Sequence, residues 1–242
     1  MAKSSQSFGG PILIIGGAED KFNERHIIRK FVSLSGDKKA NILIIPIASD
    51  FAEIAAKLYT TIFSSLGVKK ITVLEATSRQ DILSLNADKM LDNLTGVFIT
   101  GGDQMRLSSI LGGTDFIKKL AARVKKGLVL AGSSAGAACM SSEMIVRGDG
   151  QSPNQNAVRI SPGLSILKDI IIDQHFTQRS RLNRIITAVC YNPKNLGIGI
   201  DEDTAILINK NGILEVLGKG TVTIVDGSNV NYINKKKKKE NE

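Results

Sequence analysis

The segment Gly127-Leu-Val-Leu-Ala-Gly-Ser-Ser-Ala-Gly-Ala-Ala-Cys-Met140 contains an apolar run, a Gly/Ser turn and an alanine-rich run in direct succession. The apolar run is typical of a buried strand, and the alanine-rich run is a good helix start. A serine on a sharp turn from strand to helix, with glycines on both sides, has the layout of a nucleophile elbow. We therefore predict Ser134 as a nucleophile. Ser133 is a neighbouring candidate, and a plain Gly/Ser turn is the competing interpretation.

Short β-branched runs alternate with amphipathic stretches on both sides of this segment. Continuous apolar strands separated by helices indicate a mostly parallel sheet with helices on both faces. We predict an α/β fold in a single domain over residues 1–234. The predicted strands are Pro11–Ile15, Asn41–Pro46, Ile71–Leu74, Gly96–Thr100, Gly127–Ala131, Ile170–Ile172 and Leu196–Ile200, and the predicted helices are Glu24–Leu34, Phe51–Leu66, Gln104–Leu111, Phe116–Lys125 and Arg179–Cys190.

The C-terminal part follows a different pattern. Thr204–Ile208, Ile213–Val216 and Thr221–Val225 are short runs separated by turns that contain glycine. Such spacing is typical of antiparallel hairpins, which we place at the edge of the sheet.

Composition excludes several classes of protein. The net charge of +9 includes a lysine-rich tail over residues 235–242, which we predict to be disordered because like charges repel. The sequence has no basic patch with interleaved aromatic residues, so it gives no indication of nucleic-acid binding. The apolar runs are too short to span a bilayer. Two cysteines form no disulfide framework, and no apolar leader is visible, so we expect a cytoplasmic protein.

A nucleophilic serine needs a base, and the chain has two histidines. His175 directly follows a predicted strand, so it lies at the carboxyl end where ligands gather in such sheets. His26 lies on an early helix, where a surface or core role is the better interpretation. We predict His175 as the base. The three consecutive acids Asp201, Glu202 and Asp203 follow another strand, and chemistry alone does not choose which of them orients the imidazole.

Other loops at this edge carry polar residues. Gly101-Gly-Asp-Gln104 is a candidate for a second oxyanion donor and for a substrate contact through Gln104, with a plain turn as the alternative. The arginines of Gln178–Arg184 suit a substrate carboxylate, although a solvated helix face explains them equally well. Glu19 is a candidate partner for a cationic substrate group, and Asp20 is more simply a helix cap. We expect no metal site and no cofactor, because metal-ligand spacings are absent.

With these pieces assembled, the chain resembles the peptidase family that contains the cyanophycinases and aspartyl dipeptidase (peptidase E). The similarity covers about Gly10 to Asp226. The motifs that carry it are Gly16-Gly-Ala-Glu-Asp20, Thr100-Gly-Gly-Asp-Gln104, Gly132-Ser-Ser-Ala-Gly136 and Asp173-Gln-His-Phe-Thr-Gln-Arg-Ser-Arg-Leu-Asn-Arg184. The last motif separates cyanophycinases from peptidase E, and it departs from the family pattern at Ser180 and Asn183, where glycine is usual.

The resemblance implies a fold like that of class I glutamine amidotransferases, which is flavodoxin-like, and a homodimer. It implies hydrolysis of cyanophycin, a poly-aspartate whose side chains carry arginine, to β-aspartyl-arginine dipeptides through an acyl-enzyme. The implied roles fall on a triad of Ser134, His175 and Glu202 and on a substrate pocket lined by Gln104, Asp173, Gln174, Arg179, Arg181 and Arg184. From the elbow and the glycine loop we expect the oxyanion donors to be Ala135 and, in Gly101–Asp103, Gly102 or Asp103. The alternatives are an aspartyl dipeptidase and a non-catalytic binding module on the same scaffold.

Overall fold

The computed structural model describes residues 9–148 and 158–230. The predicted lysine-rich tail, residues 235–242, lies outside the described residues. The strands of the described part are β1 (Ile12–Ile15), β2 (Asn41–Ile45), β3 (Lys70–Val73), β4 (Gly96–Ile99), β5 (Val129–Ser133), β6 (Glu143–Arg147), β7 (Arg159–Pro162), β8 (Ile170–Gln174), β9 (Leu196–Ile200), β10 (Thr204–Ile208), β11 (Leu214–Gly218) and β12 (Val222–Val225). The helices are α1 (His26–Leu34), α2 (Ala52–Ser65), α3 (Arg79–Ser84), α4 (Ala87–Leu91), α5 (Gln104–Leu111), α6 (Asp115–Lys125), α7 (Ala135–Ala138) and α8 (Leu182–Tyr191).

A seven-stranded sheet in the order β11-β10-β1-β5-β4-β2-β3 forms the centre of the fold. Five of its strands run parallel to one another, in the order β1, β5, β4, β2 and β3, and β10 and β11 add an antiparallel edge. The side chains of β1 are fully buried because helices cover both faces. One face packs on α1 and α2 and the other on α3 to α6. The predicted parallel sheet between helices is confirmed for the first five predicted strands, whereas the predicted strands Ile170–Ile172 and Leu196–Ile200 lie in a separate, smaller sheet.

A smaller sheet, in the order β12-β9-β8, carries the rest of the candidate site. β8 and β9 are parallel, and β12 pairs antiparallel with β9. The prediction of hairpins is confirmed for β10 and β11. It is wrong for β12, which leaves that edge and joins β9. The pairing runs from Val222 opposite Ile200 to Val225 opposite Gly197. Just before it, the Thr221 amide donates to the Asp201 side chain at 2.9 Å.

Sequence patterns missed several short elements. Helices α3 and α4 have six and five residues, which is too few for a clear helical period. The pair β6 and β7 forms a separate two-stranded sheet. No helix among the described residues is long and apolar enough to cross a membrane. The single-domain boundary at residue 234 stays a prediction.

Candidate active site

Ser134 stands at the turn between β5 and α7. Its backbone has φ 51° and ψ −112°, a conformation that residues other than glycine rarely adopt. Such a conformation costs about 1–3 kcal/mol and persists only where the surroundings hold it. Two contacts do so here: the Ser134 amide donates to the Ile15 carbonyl at 3.0 Å, and the Ser134 carbonyl accepts from the Ala138 amide. The strained turn brings the hydroxyl within hydrogen-bond distance of side chains at the end of β8.

The two adjacent serines have different partners. Ser133 is 3% exposed, and its hydroxyl donates to Oε2 of the buried Glu19 at 2.6 Å. Ser134 Oγ lies 2.9 Å from Nε2 of His175. The hydroxyl that meets an imidazole is therefore the one at 134, and Ser133 is occupied by a buried carboxylate.

His175 follows β8 and reaches Ser134 from the smaller sheet. Its amide donates to the Gly16 carbonyl at 2.8 Å, which joins the end of β8 to the loop after β1. A Cβ at Gly17 would lie 2.5 Å from His175 Nε2, so only a glycine fits against the ring at that position. The other histidine, His26, is exposed at the start of α1.

The three consecutive acids behind His175 are distinguished by their contacts. Glu202 Oε1 lies 2.5 Å from His175 Nδ1. The Asp201 carboxylate accepts from the Thr177 and Thr221 amides, at 3.0 and 2.9 Å. Asp203 accepts from the Asp20 amide and pairs with a lysine. Only Glu202 among these three contacts the imidazole.

Several influences set the charge state of His175. Burial lowers the pKa of the imidazole, the Glu202 contact raises it, and the cations of Arg179 and Arg181 lower it again. The net direction of the pKa is downward, so the neutral form of the ring predominates at pH 7. With the Nδ1 proton directed to Glu202, Nε2 is free to accept the Ser134 proton. Such an arrangement performs general-base catalysis on a hydroxyl.

Gln174 adds a second acceptor beside the candidate nucleophile. Its side-chain oxygen lies 3.2 Å from Ser134 Oγ. The resemblance points to Gln174 as a substrate contact, and nothing in the sequence pattern points to this bond with the serine. Adjacency to His175 is the one signal that was available.

The expected oxyanion donors differ in availability. Ala135 is the first residue of α7, and its amide has no acceptor among the described residues. The Asp103 amide donates to the Ala48 carbonyl at 2.8 Å, so it is already occupied and our prediction for it needs correction. Gly102 is exposed at the same loop. Gly101 lies closest to the serine there, since a Cβ on it would be 3.8 Å from Ser134 Oγ.

The expected substrate contacts divide into a buried group and an exposed one. Arg184 is 6% exposed, and its Nε donates to Asp173 Oδ2 at 2.5 Å while its Nη2 donates to Oδ1 of the same carboxylate. Arg181 also donates to Asp173, at 3.2 Å, and to the Gln174 carbonyl. These three charged groups form one buried cluster beneath the site. Arg179 is exposed.

Other acids and amides of the predicted site have internal partners. The Gln104 amide donates to the Ile145 carbonyl at 3.0 Å. Glu19 is 2% exposed and accepts from Ser133 and from the Tyr59 hydroxyl, so it is not available to a substrate cation as the sequence suggested. Asp20 accepts from the Phe22, Asn23 and Arg25 amides ahead of α1. Among the residues that the structure describes, no cluster of histidine, cysteine or acidic side chains is arranged to hold a metal ion.

Comparison with known proteins gives consistent matches. The profile of peptidase family S51 matches residues 12–216. A protein named cyanophycinase from Nostoc sp. (strain PCC 7120 / SAG 25.82 / UTEX 2576) is 43% identical over 234 residues, which cover 96% of this chain and 78% of the relative. Another protein of that name, from Geminocystis herdmanii (strain PCC 6308), is 43% identical over 225 residues, covering 92% of this chain and 83% of the relative.

A solved structure has the same fold. The crystal structure of a peptidase from an acI-B1 Actinobacterium superposes with a TM-score of 0.70 over 91% of this chain and 92% of that one. Its sequence identity is 19%, so the likeness concerns the fold alone.

Proposed function

This chain belongs to peptidase family S51 and is a hydrolase, and we propose that it is a cyanophycinase of the serine type. Its substrate is cyanophycin, multi-L-arginyl-poly-L-aspartate, and its products are β-Asp-Arg dipeptides. One observation carries the proposal: Ser134 Oγ lies 2.9 Å from His175 Nε2, and His175 Nδ1 lies 2.5 Å from Glu202 Oε1.

The reaction follows from the positions of these groups. Ser134 Oγ attacks a backbone carbonyl between two aspartates while His175 Nε2 takes its proton. Glu202 stabilises the imidazolium that forms. The Ala135 amide, which has no acceptor in the described part of the chain, donates to the developing oxyanion. His175 then protonates the leaving amine, an acyl-enzyme remains on Ser134, and His175 activates the water that releases the second product.

The charges around the site suit this substrate. Every arginine on the polymer carries a free α-carboxylate, and the exposed Arg179 is a bidentate donor next to His175. The buried cluster of Asp173, Arg181 and Arg184 supports the strand end that bears Gln174 and His175. We propose that Arg179, Gln174 and Gln104 contact the substrate directly and that the buried cluster shapes the pocket from below.

The decisive experiment combines one variant with product analysis. Ser134→Ala removes the nucleophile, and we expect loss of cyanophycin hydrolysis without a change in the circular dichroism spectrum. Mass spectrometry of the wild-type products identifies the cleaved bond, since β-Asp-Arg requires cleavage of the backbone. Assays on Asp-X dipeptides distinguish the aspartyl dipeptidase reaction.

A histidine pair provides the matched control. His175→Gln is expected to abolish turnover, and His26→Gln, at the exposed start of α1, to retain it. Substantial hydrolysis by Ser134→Ala, or equal effects of the two histidine changes, contradicts the proposal. We further propose a homodimer, as the family resemblance implies, acting in the cytoplasm, as the cysteine usage suggests.

A further inference from the structure

Glu19 is a buried carboxylate directly behind the turn that carries Ser134. Its side chain accepts hydrogen bonds from two hydroxyl groups of distant segments and pairs with one nearby cation. The Ser133 hydroxyl of β5 donates to Oε2 at 2.6 Å, the Tyr59 hydroxyl of α2 donates to Oε1, and the Lys21 ammonium lies 3.2 Å from Oε1. A buried carboxylate is stable only with such partners, and hydrogen bonds to an ionised group are stronger than neutral ones.

The loop after β1, which bears Glu19, forms backbone hydrogen bonds at or next to each of the three residues of the proposed triad. The Ile15 carbonyl at its start accepts from the Ser134 amide at 3.0 Å, and the Gly16 carbonyl accepts from the His175 amide at 2.8 Å. The Gly17 carbonyl accepts from the amide of Asp203, next to Glu202, at 2.9 Å. These bonds connect the main sheet to the smaller one through a single short loop.

The fit of this loop against the two reacting groups leaves little room for movement. A Cβ at Gly17 would lie 2.5 Å from His175 Nε2 and 3.1 Å from Ser134 Cβ. The strained backbone of Ser134 has no tendency of its own to stay in place. We therefore expect a shift of the loop or of Ser133 to change the separation of Ser134 Oγ and His175 Nε2.

We propose that Glu19 is a positioning residue. Its hydrogen bond to Ser133 holds the strained turn in the position that brings Ser134 Oγ within hydrogen-bond distance of His175 Nε2. This inference rests on the proposed function of Ser134 as nucleophile. Glu19 touches neither the substrate nor the reacting atoms, and it acts through the Ser133 hydroxyl.

The test measures the rate at which a fluorophosphonate probe labels Ser134, with the labelled residue identified by peptide mapping. Ser133→Ala removes the donor of the bond, and Glu19→Gln removes the charge of the acceptor at nearly constant shape. A misplacement of about 1 Å costs about 10²-fold in rate, so we expect Ser133→Ala to lower the labelling rate at least about tenfold. We expect Glu19→Gln to lower it in the same direction.

A matched control separates positioning from general stability. Glu143 is a half-buried carboxylate, and it accepts from Asn195 at 2.6 Å at the end of β9 opposite to Asp201. Glu143→Gln is expected to lower the melting temperature without lowering the labelling rate below that temperature. The double variant Glu19→Gln/Ser133→Ala is expected to label no more slowly than the slower single variant, because both changes act on the same contact.

The outcomes distinguish this inference from the proposed function. If the probe labels the Ser133→Ala variant at the wild-type rate, the positioning role is overturned, whether or not the Glu19→Gln variant folds. Additive losses in the double variant also overturn it. A wild-type protein that the probe does not label at all overturns the nucleophile assignment and this inference with it.

Discussion

Replacing Glu202 by glutamine changes one carboxylate oxygen beside His175 into an amide nitrogen. The wild-type carboxylate lies 2.5 Å from Nδ1 and can only accept a hydrogen bond. A glutamine at this position can donate its amide proton to Nδ1 instead, which moves the ring proton to Nε2. In that tautomer Nε2 cannot accept the Ser134 proton, so the variant loses base catalysis as well as charge.

The structure sets the size of the effect. Centres of charge on an imidazolium and a carboxylate in this contact are about 4 Å apart, and two unit charges at that distance interact by about 4 kcal/mol at an effective dielectric of about 20. The Glu202 side chain is 38% exposed, so solvent screening reduces this interaction. If about 3 kcal/mol remains, the rate falls by about 10²-fold, since every 1.36 kcal/mol is about tenfold.

The assay is the pH dependence of labelling by a fluorophosphonate and of cyanophycin hydrolysis. Glu202 raises the pKa of His175 against the effect of burial. Its removal lowers that pKa further, so His175 stays neutral to a lower pH. We therefore expect a plateau about 10²-fold lower, with an acid limb displaced to lower pH.

The neighbouring acid supplies the control. Asp203→Asn keeps an oxygen that can accept from the Asp20 amide and leaves the imidazole contact intact, so we expect nearly wild-type rates. A Glu202→Gln variant with rates within a few-fold of wild type refutes the reasoning. Equal losses in the two variants also refute it, because a general effect of removing negative charge then explains both.

Two further outcomes follow from the arginines. Arg179 lowers the pKa of His175, so Arg179→Gln is expected to move the acid limb of the probe-labelling profile to higher pH; an unmoved limb contradicts the electrostatic explanation. Arg184→Met leaves the buried Asp173 carboxylate with Arg181 as its remaining cationic partner, and removing one partner of a buried ion pair costs about 3–5 kcal/mol. Urea unfolding measures this loss, and an unchanged midpoint shows that the pair adds no net stability.

The architecture was predictable wherever local pattern and long-range packing agree. The runs Ile12–Ile15 and 42–45 are buried on both faces, so every residue in them had to be apolar and the sequence pattern was continuous. Helices α3 and α4 were missed because their few residues carry one or two buried side chains each. The pairing of β12 with β9 was missed because a hairpin signal in the sequence indicates a turn and does not indicate which strand the next one pairs with.

The candidate site was predictable in its residue types. Glycines around Ser134 and the position of His175 after a strand indicated a hydroxyl and a base at one end of the fold. Contacts inside the pocket were less predictable, because the same charged groups bind either a substrate or one another. Asp173 with Arg184, and Glu19 with Ser133, pair within the protein, and no spacing in the sequence distinguishes these two uses.

Sequence alone determined the alternation of buried strands and helices, the turn at Ser134 and the short list of residues able to react, because each depends on neighbours within a few positions of the chain. Residue chemistry left the choice among Asp201, Glu202 and Asp203 open, and the family resemblance pointed to Glu202. The tertiary structure decides that Glu202, and neither Asp201 nor Asp203, reaches the imidazole. The three acids are adjacent in the chain and chemically alike. Their directions differ because Thr221 holds the first, the loop after β1 holds the third, and the middle one is left to face His175.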